Sequence, residues 1–192
     1  MPSTLVNLRS ARPLMWTNPH RQSTSSGNTP VGLAGLGLAD MHQARDRFER
    51  FAPLLADLFP ELAESQGRIE SDLLAVPALQ QALGLPPTMG RLWIKADHRL
   101  PVAGSVKARG GFHEVLELTE RLAVEHDLIQ PGNDYRCLGR PAARAAFAQY
   151  QVAVGSTGNL GMAIGVLAAA LGFRPVVHMS ADAKTWKKDR LR

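Results

Sequence analysis

Only one cysteine, Cys137, occurs in the 192 residues, so no disulfide can form within the chain and a reducing cytoplasm suits it. No uninterrupted apolar run approaches the roughly 20 residues needed to span a bilayer. Residues 1–12 carry arginines but no apolar stretch followed by a small-residue cleavage site, so no secretory signal is expected. His113, His126 and His178 each lack a second His, Cys or carboxylate at metal-ligand spacing, which argues against a zinc site. A Gly-x-Ser-x-Gly elbow and a Walker A pattern are both missing. Cys137 stands in a loop-like stretch with no histidine or helix start to activate it, and is read as an ordinary thiol. No internal repeat is found.

What is present is an ordinary globular balance of 45% hydrophobic and 20% charged residues, in a chain long enough to bury a core. Lys and Arg number 22 against 17 Asp and Glu, a formal charge of +5. Part of that excess is Lys184, Lys187, Lys188, Arg190 and Arg192, which read as a solvated helix face; no nucleic-acid partner and no membrane partner are expected.

Three regions follow in order. Residues 1–39 read as an irregular arm, because Ser, Thr, Asn, Pro and Gly dominate from Thr17 to Pro30. Trp16 is expected to anchor this arm, and the glycine order from Gly32 to Gly37 is wrong for a dinucleotide fingerprint. Residues 40–90 read as helical packing material. Asp40 caps a helix over 41–58 with Ala44, Phe48, Phe51, Leu55 and Leu58 on one face, and Pro53 kinks or splits it. A second helix is expected after Ser71, carrying Leu73, Leu74, Val76 and Leu79. Residues 91–192 read as α/β. A strand over 91–96 leads to a long helix with apolar Val106, Phe112, Val115, Leu116, Leu118 and Leu122, and a short helix over 143–149 follows. The run 150–154 then reads as a strand, 160–171 as an alanine-rich helix ended by Gly172, and 174–179 as a strand. Strand, helix and strand make a βαβ unit, whose parallel sheet is expected to carry helices on both faces. Ser180 is the expected cap of a last helix near Asp182.

Two stretches carry chemistry. Lys107 opens the long helix behind Ser105, a candidate N-cap. The positive end of the helix dipole disfavours a cation there, and Arg109 nearby acts in the same sense. Both favour the neutral amine that a nucleophilic lysine needs. The alternative is a plain solvent-exposed lysine. The second stretch, Ser156-Thr157-Gly158-Asn159, joins the carboxyl end of a parallel strand to a helix start, the place where open α/β sheets bind ligands. First-turn N–H groups with the hydroxyls of Ser156 and Thr157 suit an anion, and Asn159 can both donate and accept. Its alternative is a βα turn whose Ser or Thr only caps the helix.

Lys95-Ala96-Asp97 and the run from Leu100-Pro101 through Gly104-Ser105-Val106-Lys107-Ala108-Arg109-Gly110-Gly111, with Val154-Gly155-Ser156-Thr157-Gly158-Asn159-Leu160-Gly161 further on, resemble the pyridoxal-phosphate enzymes of fold type II. Trp16-Thr17-Asn18-Pro19, Phe51-Ala52-Pro53, residues 69–77, and Val177-His178-Met179-Ser180-Ala181-Asp182-Ala183 with Trp186-Lys187-Lys188 are similar to the D-serine dehydratase subfamily. The likeness thus covers essentially the whole chain. It implies the tryptophan synthase β-like α/β fold and pyridoxal 5'-phosphate as cofactor. The implied reaction is an α,β-elimination that turns D-serine into pyruvate and ammonia. It assigns Lys107 as the residue that holds the cofactor and moves protons at the substrate α-carbon. Asn159 is assigned to the cofactor ring hydroxyl, and Ser156, Thr157 and Gly158 to the substrate carboxylate. The family's chains are more than twice as long, and their glycine-rich phosphate loop has no counterpart here, so the resemblance implies an amino-terminal piece with an incomplete sheet. An L-serine or L-threonine dehydratase and a non-catalytic remnant stand as the other readings.

Overall fold

The computed structural model describes residues 4–15, 37–130 and 132–192. Trp16, residues 17–19 and the glycine run from 32 to 36 lie outside them. The chain divides into two compact units, Met1–Asp40 and Met41–Arg192. In the first, the expected irregular arm contains a helix, α1 (Thr4–Arg9). The first turn of α2 (Leu38–Leu58) also belongs here. Asp40 sits three residues inside that helix instead of at its cap, and accepts from the Gly37 N–H at 2.7 Å, the reciprocal half of a capping box.

In the second unit α2 runs on through Pro53 without a break. Proline removes the bond to the Glu49 carbonyl, but both residues are exposed, so water can take its place. The buried stripe is Phe51, Leu54 and Leu55, continued by Phe59 and Leu62. It packs against α4 (Lys107–Glu125), whose Phe112, Val115, Leu116 and Leu122 face inward. Phe59 meets Phe112 at 5.8 Å between ring centroids, and Phe51 meets Tyr135 edge-on at 4.9 Å.

The second expected helix is shorter than its apolar pattern suggests. Leu73–Ala75 is a strand, β1, paired antiparallel with β2 (Trp93–Lys95), and only α3 (Pro77–Ala82) is helical. Three residues cannot reveal their period; the pairing partner decides, with Val76 N–H on the Leu92 carbonyl and Ala96 N–H on the Asp72 carbonyl continuing the ladder.

α5 (Pro141–Phe147) leads to the βαβ unit, β3 (Gln151–Gly155), α6 (Asn159–Leu171) and β4 (Arg174–His178). β3 and β4 pair in parallel, Val154 opposite Val177 and Gly155 opposite His178. Gly172 at φ +100 ends α6 as expected, and the Phe173 N–H closes on the Ala168 carbonyl at 3.0 Å. α6 covers the sheet face that carries Val177; on the other face Ala153, Gly155 and His178 are exposed. The chain is therefore α/β with an incomplete parallel sheet. α7 (Thr185–Leu191) begins after Lys184, later than expected, because the Ser180 hydroxyl bonds Asp182 within the preceding turn and caps nothing.

α2 and α4 are also joined by charge. Arg47 and Arg50 reach the two oxygens of Glu120 at 2.9 and 2.6 Å, and the Tyr135 hydroxyl donates to the same carboxylate at 2.8 Å. Burial works to raise the Glu120 carboxyl, but the hydrogen bonds from Tyr135, Arg47 and Arg50 outweigh it and hold it below the usual carboxylate range. Tyr135 is pushed up, by burial first and then by its bond to Glu120. A carboxyl depressed on folding adds stability above its unfolded pKa of about 4.3 and loses it as pH falls through the folded value. A phenol raised on folding adds stability below its usual value of about 10 and loses it as pH rises through the folded value. Glu120→Ala leaves the Arg47 guanidinium, 12% exposed, with only Glu117 at 3.3 Å as an anionic partner. The expected cost is about 2 kcal/mol near neutral pH, shrinking below about pH 4 as the wild type loses the same contribution. Urea unfolding of both proteins across that range measures it.

Candidate active site

Lys107 is the first residue of α4; its side chain is exposed and makes no hydrogen bond or ion pair among the described residues. Ser105 is not the cap residue itself. Val106 holds that position in helical geometry, and the Ser105 hydroxyl accepts the Lys107 N–H from one residue further back, at 3.3 Å. Arg109 does not share Lys107's surroundings. Two residues along a helix turn the side chain by about 200°, and Arg109 lines a groove of about 950 Å³ beside Ala52, Ile69 and Arg136.

The chain enters α4 through a tight turn. The Ala103 N–H bonds the Pro101 carbonyl at 2.8 Å around Val102 at φ +67, and the Gly104 N–H bonds the Leu100 carbonyl at 2.9 Å. An i to i+2 bond around a left-handed residue is the rare, strained γ-turn. A β-branched residue there costs about 1–3 kcal/mol and persists only because its surroundings impose it. Leu100, Val102 and Ala103 are all buried, so the core is one of the surroundings that impose the turn.

At the other stretch, the Ser156 N–H bonds the His178 carbonyl at 3.0 Å, extending the pairing of β3 with β4 by one bond. The Ser156 hydroxyl accepts the Gly158 N–H at 3.2 Å. Gly158 is the cap residue of α6 in extended geometry, and no side chain caps the helix. The N–H groups of Asn159, Leu160 and Gly161 therefore meet no acceptor among the described residues, and the side chains of Thr157 and Asn159 likewise have no partner there.

Glycines bring the two stretches together. A Cβ on Gly111 would stand 3.2 Å from both Ala163 Cβ and Leu160 Cδ1, so α4 and α6 touch one turn from each amino terminus. Gly111 lies four residues after Lys107, on the same side of α4. Lys107 thus stands about 6 Å along the α4 axis from that contact. Gly161 sets the loop itself, since a Cβ there would fall 2.8 Å from the Ser156 carbonyl oxygen and 2.8 Å from Val177 Cγ1. Gly161→Ala is expected to lift the loop from α6 and to cost about 1–3 kcal/mol, which thermal melting with amide exchange over residues 155–160 would register. These glycine roles and the Val102 turn are invisible to motif reading. Their one trace is glycine inside helices, where it costs about 1 kcal/mol against alanine unless close packing requires it.

Among the described residues no group of three His, Cys, Asp or Glu is placed to hold a metal ion, and no helix is long and apolar enough to cross a membrane.

Residues 65–192, two thirds of the chain and both stretches with them, match the family described as pyridoxal-phosphate dependent enzyme, and the chain belongs to that family. Its similarity to curated relatives is closer still. It is 61% identical over 190 residues to a probable D-serine dehydratase of Acidovorax sp. (strain JS42), covering 97% of this chain and 42% of that one. Identity is 53% over 191 residues to one from Cupriavidus pinatubonensis, covering 100% and 42%. It is 52% over 194 residues to one from Pseudomonas aeruginosa (strain UCBPP-PA14), covering 98% and 42%. The chain spans less than half the length of these relatives.

Proposed function

We propose that this chain forms the substrate-facing part of a D-serine dehydratase that eliminates water from D-serine and yields pyruvate and ammonia. The observation that carries the reading is a free lysine amine and a set of unengaged N–H donors, each within about one helical turn of the Gly111 contact between α4 and α6. That donor set fits pyridoxal phosphate, which needs an amine for covalent attachment and polar partners for its ring and its substrate. When bound, the cofactor supplies the electron sink for the charge left at the substrate α-carbon.

The chain's own residues do the rest. Lys107 would hold the cofactor, and its amine would carry the α-proton of the substrate. The hydroxyls of Ser156 and Thr157 and the Gly158 N–H receive the substrate carboxylate at the positive end of α6. Asn159 would hydrogen-bond the cofactor's ring hydroxyl. The β-hydroxyl departs as water, and hydrolysis of the released enamine gives the two products. A cytoplasmic location is part of the same proposal, consistent with a single cysteine.

The test is borohydride reduction of the protein with pyridoxal phosphate, followed by peptide mapping. One adduct on Lys107 is the expected result. Label on other lysines with Lys107 unmodified would sink the proposal.

A further inference from the structure

The strained turn before Lys107 has one polar attachment from a distant part of the chain. Arg190, on α7, donates from Nη2 to the Val102 carbonyl at 3.0 Å, and that carbonyl accepts no other hydrogen bond among the described residues. A guanidinium on a carbonyl is a charge-assisted bond, stronger than a neutral one. The same Nη2 is ion-paired with Glu61 Oε1 at 4.0 Å, which helps hold the guanidinium beside the turn. The clamp has a firm base. Leu191, the next residue, packs into the notch at Gly165 of α6, its Cδ2 2.8 Å from where a Cβ on Gly165 would stand. Arg190 therefore ties the γ-turn that launches α4 to the same helix that begins at the Ser156 loop.

We infer that Arg190 is a positioning residue for Lys107: its bond to the Val102 carbonyl holds the left-handed turn that fixes where α4 begins, and so where the lysine amine stands relative to α6. The inference rests on the reading of Lys107 as the cofactor-bearing lysine. Arg190 itself touches neither cofactor nor substrate. Without the guanidinium, Val102 can relax toward negative φ, which would displace Gly104 and Ser105 and fray the first turn of α4.

Two variants separate this role from general support. Arg190→Met keeps a long apolar stem but no donor, and Arg190→Lys keeps a charge and a single donor. Two readouts apply, hydrogen exchange without cofactor and borohydride-trapped pyridoxal phosphate on Lys107 against pH. Arg190→Met is expected to raise exchange over residues 100–107 about tenfold, to leave residues 112–122 unchanged, and to lower Lys107 labelling about five- to tenfold, with Arg190→Lys recovering part of both. Unchanged exchange over 100–107 overturns the inference, and so does exchange raised equally over 112–122, which would make Arg190 a general brace. Raised exchange with undiminished labelling also overturns it. If the wild type itself takes no label on Lys107, the functional reading and the positioning role fall together. If the wild type is labelled and the variants equally so, only the positioning role falls.

Discussion

Lys107→Ala is expected to abolish covalent capture of pyridoxal phosphate and, in the proposed D-serine dehydratase, to lower turnover by about 10³-fold or more, because the amine itself is removed. The melting temperature should stay where it is. The Lys107 side chain is exposed and bonded to nothing among the described residues, and substitutions at such places usually fall within about 0.5 kcal/mol. Removing a cation from the first turn also relieves an unfavourable interaction with the helix dipole. This combination, chemistry gone and fold intact, distinguishes a nucleophile from a packing residue. Visible absorbance of the bound cofactor, turnover and thermal unfolding on one preparation measure it. Retained turnover would remove Lys107 from its role.

Gly67→Ala should do the opposite, damaging the fold and reaching the chemistry only through it. Gly67 stands at φ +83, and a Cβ there would lie 1.7 Å from the Ala52 carbonyl oxygen and 2.4 Å from the carbonyl carbon. No rotamer change can help, since the obstruction is the backbone of α2. The Gly67 N–H is at the same time bonded to the Leu62 carbonyl at 2.8 Å, so the loop cannot swing out without losing that bond. Positive φ, an impossible contact and a lost hydrogen bond point to about 3–4 kcal/mol, a large share of the stability of a domain this size. Chemical denaturation should show a lower midpoint with little change in slope. A midpoint shift under about 1 kcal/mol would mean that the loop from Ser65 to Ile69 moves freely against α2.

Much of this architecture is legible in the residues. α4, α6 and the parallel pair follow from 3.6-residue and apolar patterning, and Gly172 ends α6 where its left-handed geometry requires. β1 was not legible as a strand, because Leu73, Leu74 and Val76 fit a helical stripe equally well and only pairing with β2 decides. The Glu120 network could not be read either: Arg47 and Arg50 come from more than 60 residues away, and nothing local marks them as partners. Within the candidate site, Lys107 and the Ser156-to-Asn159 loop were recognisable as chemistry-bearing types. The close approach of α4 to α6 was not, since it depends on what a glycine at 111 leaves out.

That omission sets how the site responds to stress. With Leu160 and Ala163 only 3.2 Å from where a Cβ on Gly111 would stand, any side chain at 111 would have to push α4 and α6 apart. The first turns of α4 and α6 are thus geared together, and the two segments proposed to carry the chemistry are tied to them. The position where tolerance ends is 111 itself, where a single added methyl alters the spacing of α4 and α6.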